Sequence, residues 1–141
     1  MEFALIAPVL FLVLFGIVTF GIAINNYIEL TDSVRSGGRA LAIARASTTG
    51  ASSTPYSSTV SAIDASAPNL TAGSIGITVT IAPVGGGGAS CNTDTACATA
   101  LSAAEGGTAT VTATYPCNLT VMQFNFAPSC TLSASTSDLI E

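Results

Sequence analysis

Cys91, Cys97, Cys117 and Cys130 are the residues of this chain best suited to chemistry, and that chemistry is oxidation. All four fall in the C-terminal half, no two form a Cys-x-x-Cys pair, and the chain has no histidine. A zinc site therefore lacks its usual ligand spacing, and no metal is expected. An even number of cysteines in a small, loop-rich segment reads as two disulfides formed in an oxidising compartment. Four cysteines allow three pairings. Joining Cys91 to Cys97 and Cys117 to Cys130 closes two short local loops and is the preferred one.

Other reactive groupings are missing. With no histidine and no lysine, the many serines have no usual activating base. The eight carboxylates are scattered, with Asp94 and Glu105 the nearest pair in the C-terminal half. An enzyme is not expected. The four-glycine run Gly85 to Gly88 lacks the Lys-Ser/Thr of a phosphate-binding loop, so no cofactor is expected either. The net charge is −5, and the only cations, Arg35, Arg39 and Arg45, lie within one short stretch. That balance argues against a nucleic-acid partner, which needs a broad basic face.

The elements around these residues divide the chain into three. From Phe3 to Ile24 there is no charged residue, and 22 residues of helix rise about 33 Å, enough to cross a hydrocarbon core of about 30 Å. The run is too long for a signal peptide and no basic segment precedes it. Tyr27, Leu30, Val34, Gly38 and Leu41 then recur at three- and four-residue steps. One helix is therefore predicted over residues 1–46, with 2–24 placed in a membrane or filament core and 25–46 amphipathic. Pro8 either kinks this helix or is tolerated in apolar surroundings, and Gly37–Gly38 is a second candidate bend. Glu2 is the conspicuous charge beside the apolar run. It either pairs with the α-amino group of Met1, its own or a neighbouring copy's, or sits in the interfacial headgroups and favours the helix N-terminus. The arginines follow the apolar run, which taken alone would place the C-terminal part in the cytoplasm. The cysteines place it outside, and both fit if a basic leader once preceded Met1.

Residues 47–61 are rich in Ser and Thr and read as a linker or an O-glycosylated spacer. Residues 62–141 read as a small outer domain: a helical turn at Ser61 to Ala67, a strand carrying Ile75, Ile77, Val79 and Ile81, and a short helix over Cys97 to Glu105. A second strand has Ala109, Val111, Ala113 and Tyr115 on one face, and a last strand spans Cys130 to Ser135. Val121 to Phe126 form an apolar, aromatic patch. The expected fold is α+β: a long N-terminal hydrophobic helix with an antiparallel sheet of three to four strands, held by disulfides because so small a core needs them. The sequons at Asn69 and Asn118 read as chance occurrences.

The opening of the chain resembles the TadE-like proteins of bacterial tight-adherence (Flp/Tad) pilus systems, which are type IV pilin-like. Glu2-Phe3, Pro8, Gly16, Phe20-Gly21, Arg35, Gly38-Arg39-Ala40 and Arg45 stand at the matching positions, and Val111 to Cys117 and Thr131 to Glu141 resemble the family's last strands more loosely. The resemblance implies a precursor with a short basic leader, insertion in the inner membrane, and a pilin-like role for which Met1, Glu2, Phe3 and Pro8 are the assembly residues. Glu2 would neutralise the N-terminal amine of an adjacent subunit. In pilins that glutamate usually stands fifth in the mature chain, whereas only Met1 precedes it here. The leading expectation is a structural subunit that leaves the inner membrane, with pilus assembly machinery, for an extracellular filament of identical copies used in adhesion. The alternatives are a minor pilin-like accessory and a membrane-anchored binding module with Tyr115, Phe124 and Phe126 as its candidate face.

Overall fold

The computed structural model describes residues 2–48, 54–117, 119–121, 124–125 and 127–140, with side chains described for these except 2–5, 45–48, 120–121 and 124. Helix α1 spans Glu2–Thr48, 47 residues or about 70 Å. It contains Pro8 and runs on through it. Its many Ile, Val and Gly residues are indifferent helix formers, so context stabilises it. The upper half is packed against the rest of the fold through Leu30, Val34 and Leu41.

Helix α2 spans Pro55–Ser66, so its first half lies in the 47–61 stretch that composition reads as a spacer and its second half extends the helical turn expected at Ser61 to Ala67. The correction has a local cause. Pro55 opens the helix, where its missing N–H costs nothing. The Thr59 hydroxyl donates to the Pro55 carbonyl at 2.8 Å, so a buried hydroxyl is satisfied inside the helix. Pro55, Thr59 and Ile63 recur every four residues and are buried. Ser and Thr thus fill the helix without weakening its inner face, and residues 49–53 lie outside the described ones.

A 3-10 turn at Ala72–Ser74 leads into β1, Gly76–Ala82. Strand β2, Ala89–Cys91, follows a turn closed by the Gly86 N–H on the Pro83 carbonyl at 3.0 Å. There Gly85 adopts φ 73°, which favours glycine. Helix α3, Asp94–Ser102, starts at Thr93, whose hydroxyl accepts from the Ala96 N–H at 3.4 Å. Strands β3, Thr108–Pro116, and β6, Thr131–Leu139, frame a small hairpin of β4, Thr120–Val121, and β5, Phe124–Asn125. The main sheet is antiparallel in the order β2-β1-β3-β6.

Register decides which face is apolar. Val79 faces Val111 and Ile81 faces Ala109 across β1–β3, while Ala113 faces Ala134 across β3–β6. All six are buried. The opposite face is mostly Thr and Ser, and there the cross-strand pair Thr110 and Ser137 shares a hydroxyl hydrogen bond of 2.8 Å. The buried face closes over Leu30, Val34 and Leu41 of α1, with Ile63, Leu70, Leu101 and Ile140 completing the core.

Gly37 and Gly38 lie inside continuous helix, so they are not an interruption of it. Both are buried. A Cβ at Gly37 would stand 2.5 Å from Ile63 Cγ1 of α2, and one at Gly38 would stand 2.5 Å from Thr136 Cγ2 of β6 and collide with the Asp138 carboxylate. The pair lets α2 and β6 approach α1 from two sides.

Candidate assembly site

The lower half of α1 projects from the domain, and no residue from Ile6 to Glu29 is buried. From Ile6 to Ile28, fifteen large apolar side chains are each between 46% and 64% exposed. Fully covering one such side chain is worth about 1.5–3 kcal/mol, so the surface calls for a bilayer or other protein around it. The backbone supplies its own hydrogen bonds, and Thr19, a polar residue in the run, donates to the Phe15 carbonyl at 2.8 Å. Phe11 and Phe15, one turn apart, stack with centroids 6.5 Å apart. Among the described residues this is the one helix long and apolar enough to cross a membrane. Pro8 lies on it and is exposed. Met1 and the side chains of Glu2 and Phe3 lie outside the described residues.

A polar fastening marks the place where α1 enters the domain. The Glu29 carboxylate accepts from the Asn69 backbone N–H at 2.8 Å and from Asn69 Nδ2 at 3.1 Å. Both oxygens are engaged, which ties the turn after α2 to the point where the helix becomes buried at Leu30. Below this clamp two hollows flank the small residue Ala23. One, of about 340 Å³, is lined by Ile22, Asn26, Thr71, Ser74 and Tyr115. The other, of about 240 Å³, is walled by Phe20, Ile24, Tyr27, Leu119 and Leu132. Tyr115, one of the three aromatic residues named for a binding face, lies in the first, where its hydroxyl accepts from the Thr71 N–H at 3.5 Å. The side chains of Phe124 and Phe126 lie outside the described residues.

The cysteines pair as Cys91–Cys97 and Cys117–Cys130, so none offers a thiolate. The first bridge joins β2 to α3. The second ties the ends of β3 and β6, where the Cys117 N–H also donates to the Cys130 carbonyl at 3.1 Å.

Asp94, one of the scattered carboxylates, has a structural task. Its Oδ1 accepts from the Ser57 backbone N–H at 2.8 Å and its Oδ2 from the Ser57 hydroxyl at 2.6 Å. The first turn of α2 thus receives its cap from α3, because Thr54 supplies no side-chain cap. The Ser57 hydroxyl, then the Ser57 N–H, hold the Asp94 carboxyl below its ordinary value. The folded pKa therefore lies below the unfolded one. The contribution is fully present above the unfolded value, near 3.8, and is lost as pH falls through the folded one. In an acid titration followed by circular dichroism, Asp94→Ala is expected to lower stability at neutral pH and to lack this part of the acid-induced loss.

Neither the Glu29–Asn69 clamp nor the Asp94–Ser57 cap was anticipated from sequence. The partners are 40 and 37 positions apart, and no local pattern marks them.

Residues 1–39 match the family described as TadE-like protein. No curated protein matches the chain, and no solved structure does.

Proposed function

We propose that this chain is a pilin-like structural subunit of a tight-adherence type system, which polymerises through its N-terminal helix into a surface filament. The observation that carries the reading is the asymmetry of α1. It is one unbroken helix, exposed and overwhelmingly apolar from Ile6 to Ile24, then clamped at Glu29 and buried in a disulfide-bonded domain from Leu30. Such a helix satisfies its own backbone in lipid and in a packed helical core alike, so the same surface serves a membrane-held subunit and an assembled one. The resemblance of residues 1–39 to TadE-like proteins supports the same setting. Glu2 would then face the N-terminal amine of a neighbouring copy, with Met1, Phe3 and Pro8 beside it. The disulfides fit a domain on the outer side of the inner membrane and, after assembly, at the cell surface.

Electron microscopy of sheared surface material, with intact-mass measurement of its protein, tests the proposal. Uniform filaments built from this chain are the expected result. Recovery of the chain only from the membrane, with filaments made of another subunit, would overturn polymerisation and leave the accessory role.

A further inference from the structure

The upper half of α1 has a back. Leu30, Val34, Gly37, Gly38 and Leu41 face the domain and are buried, while Ile28, Asp32, Arg35, Arg39 and Ile43 are exposed on the opposite side. Steps of four, three, four and four residues keep these five on one stripe. Arg35 Nη1 stands 3.4 Å from Asp32 Oδ1, an exposed pair of little worth by itself. Arg39 is exposed and has no ion-pair or hydrogen-bond partner among the described residues. Residues 46–141 contain no cation, so the positive charge of the chain is confined to this helix.

The next step rests on the filament reading. If α1 forms the core and the domain the outside, the stripe turned away from the domain faces neighbouring helices. A guanidinium moved into such a setting needs a carboxylate opposite it. Copies that leave one membrane in one orientation bring their helices together in parallel. Two turns of helix take 7.2 residues, so a shift of seven residues, about 10.5 Å, leaves the stripes facing each other. Arg39 and Asp32 are seven residues apart. Lipid headgroups are a poorer partner: Arg35 and Arg39 stand about 16–22 Å beyond Ile24 along the helix, past the headgroup layer of an upright anchor.

We infer that the stripe Ile28–Asp32–Arg35–Arg39–Ile43 docks the α1 helix of a second copy, with Arg39 of one copy paired to Asp32 of the next and the helices staggered by seven residues. Arg35 holds the receiving carboxylate in place, and the long arginine stems lie over Ile28 and Ile43 at the ends of the stripe.

The test compares filament yield in the sheared fraction with the amount of oxidised subunit in the membrane, for the full-length chain in a filament-forming host. Arg39→Glu is expected to cut filament yield by about tenfold or more, because it sets like charges opposite each other, with the membrane pool unchanged. Arg39→Lys keeps the charge and is expected to retain most of the yield. Asp32→Asn, the milder change at the other partner, is expected to fall with Arg39→Glu. The variant reversed throughout, Asp32→Arg with Arg35→Asp and Arg39→Asp, restores complementarity and is expected to recover filaments. Wild-type yield from Arg39→Glu would overturn the pairing, as would failure of the fully reversed variant to recover while its membrane pool is intact. Absence of filaments from the wild-type chain would instead overturn the filament reading, and the docking with it.

Discussion

Gly37→Ala will weaken the fastening of α2 onto α1, although alanine is the better helix former. In an open helix the change gains about 1 kcal/mol. Here the new Cβ meets Ile63 Cγ1 at 2.5 Å, Ile63 Cδ1 at 2.8 Å and Thr59 Cγ2 at 3.4 Å. Ile63 is fully buried and stiff at χ1, so it cannot swing aside, and overpacking of this kind costs about 1–3 kcal/mol. A net loss in urea or thermal unfolding of the detergent-held chain would show that packing outweighs propensity. The decisive comparison is with Ile63→Ala, which alone should cost about 2–5 kcal/mol through its cavity. On that background Gly37→Ala should turn neutral or stabilising, since its methyl then enters vacated space. Additive losses in the double variant would refute the steric account. Gly38→Ala should cost less, because one of its two obstacles is the end of the Asp138 side chain, which can rotate. Gly21→Ala meets nothing within 4 Å and should leave the domain's stability unchanged.

That comparison also shows why some of this fold was readable from sequence and some was not. Gly16, Gly21, Gly37 and Gly38 look alike in the sequence. The first two lie in open space on the isolated chain and the last two are wedged between elements, a distinction that needs to know what packs where. Burial with a regular period was readable. The recurrence of Leu30, Val34 and Leu41, and the alternation of Val79, Ile81, Ala109, Val111 and Ala113, each follow from one covered side of a regular element, whereas the charge-free run Phe3 to Ile24 was readable from its unbroken apolar composition alone. The helix α2 was obscured because its inner face is made of Pro55, Thr59 and Ile63, only one of them strongly apolar. The last strand was predicted to end at Ser135 and continues to Leu139. Its helix-facing positions beyond Ala134 are Thr136 and Asp138, which dilute the apolar alternation. At the assembly surface, the exposed apolar half of α1 was evident from composition. The clamp by Glu29 and the cap by Asp94 were not, since each joins groups that only the tertiary fold brings together.

Removing the Cys117–Cys130 bridge is expected to cost about 3 kcal/mol, the loop-closure value for a ring of this size; the two cysteines are 13 positions apart. For a domain whose total stability is of order 5–15 kcal/mol, that is a large share. The consequence should also be localised. The bridge seals the ends of β3 and β6, and both cysteines border the apolar hollow beside Phe20, Ala23, Ile24 and Tyr27. The segment it closes contains the β4–β5 hairpin, whose pairing is only two residues a side and too short to persist alone. In the Cys117→Ala/Cys130→Ala variant, hydrogen exchange should therefore accelerate first in residues 119–130 and then at the β3 and β6 ends, before the core around Val79 and Val111. Cys91→Ala/Cys97→Ala opens a smaller ring, with its cysteines 6 positions apart. The entropic loss should be somewhat smaller, about 2.4 kcal/mol. It should instead loosen β2 and α3, where both sulfurs are buried. Uniform loss of protection in both variants would mean that the domain opens only as a whole. Selective loss at 119–130 would make the lower bridge the staple that keeps the hairpin seated where α1 leaves the domain.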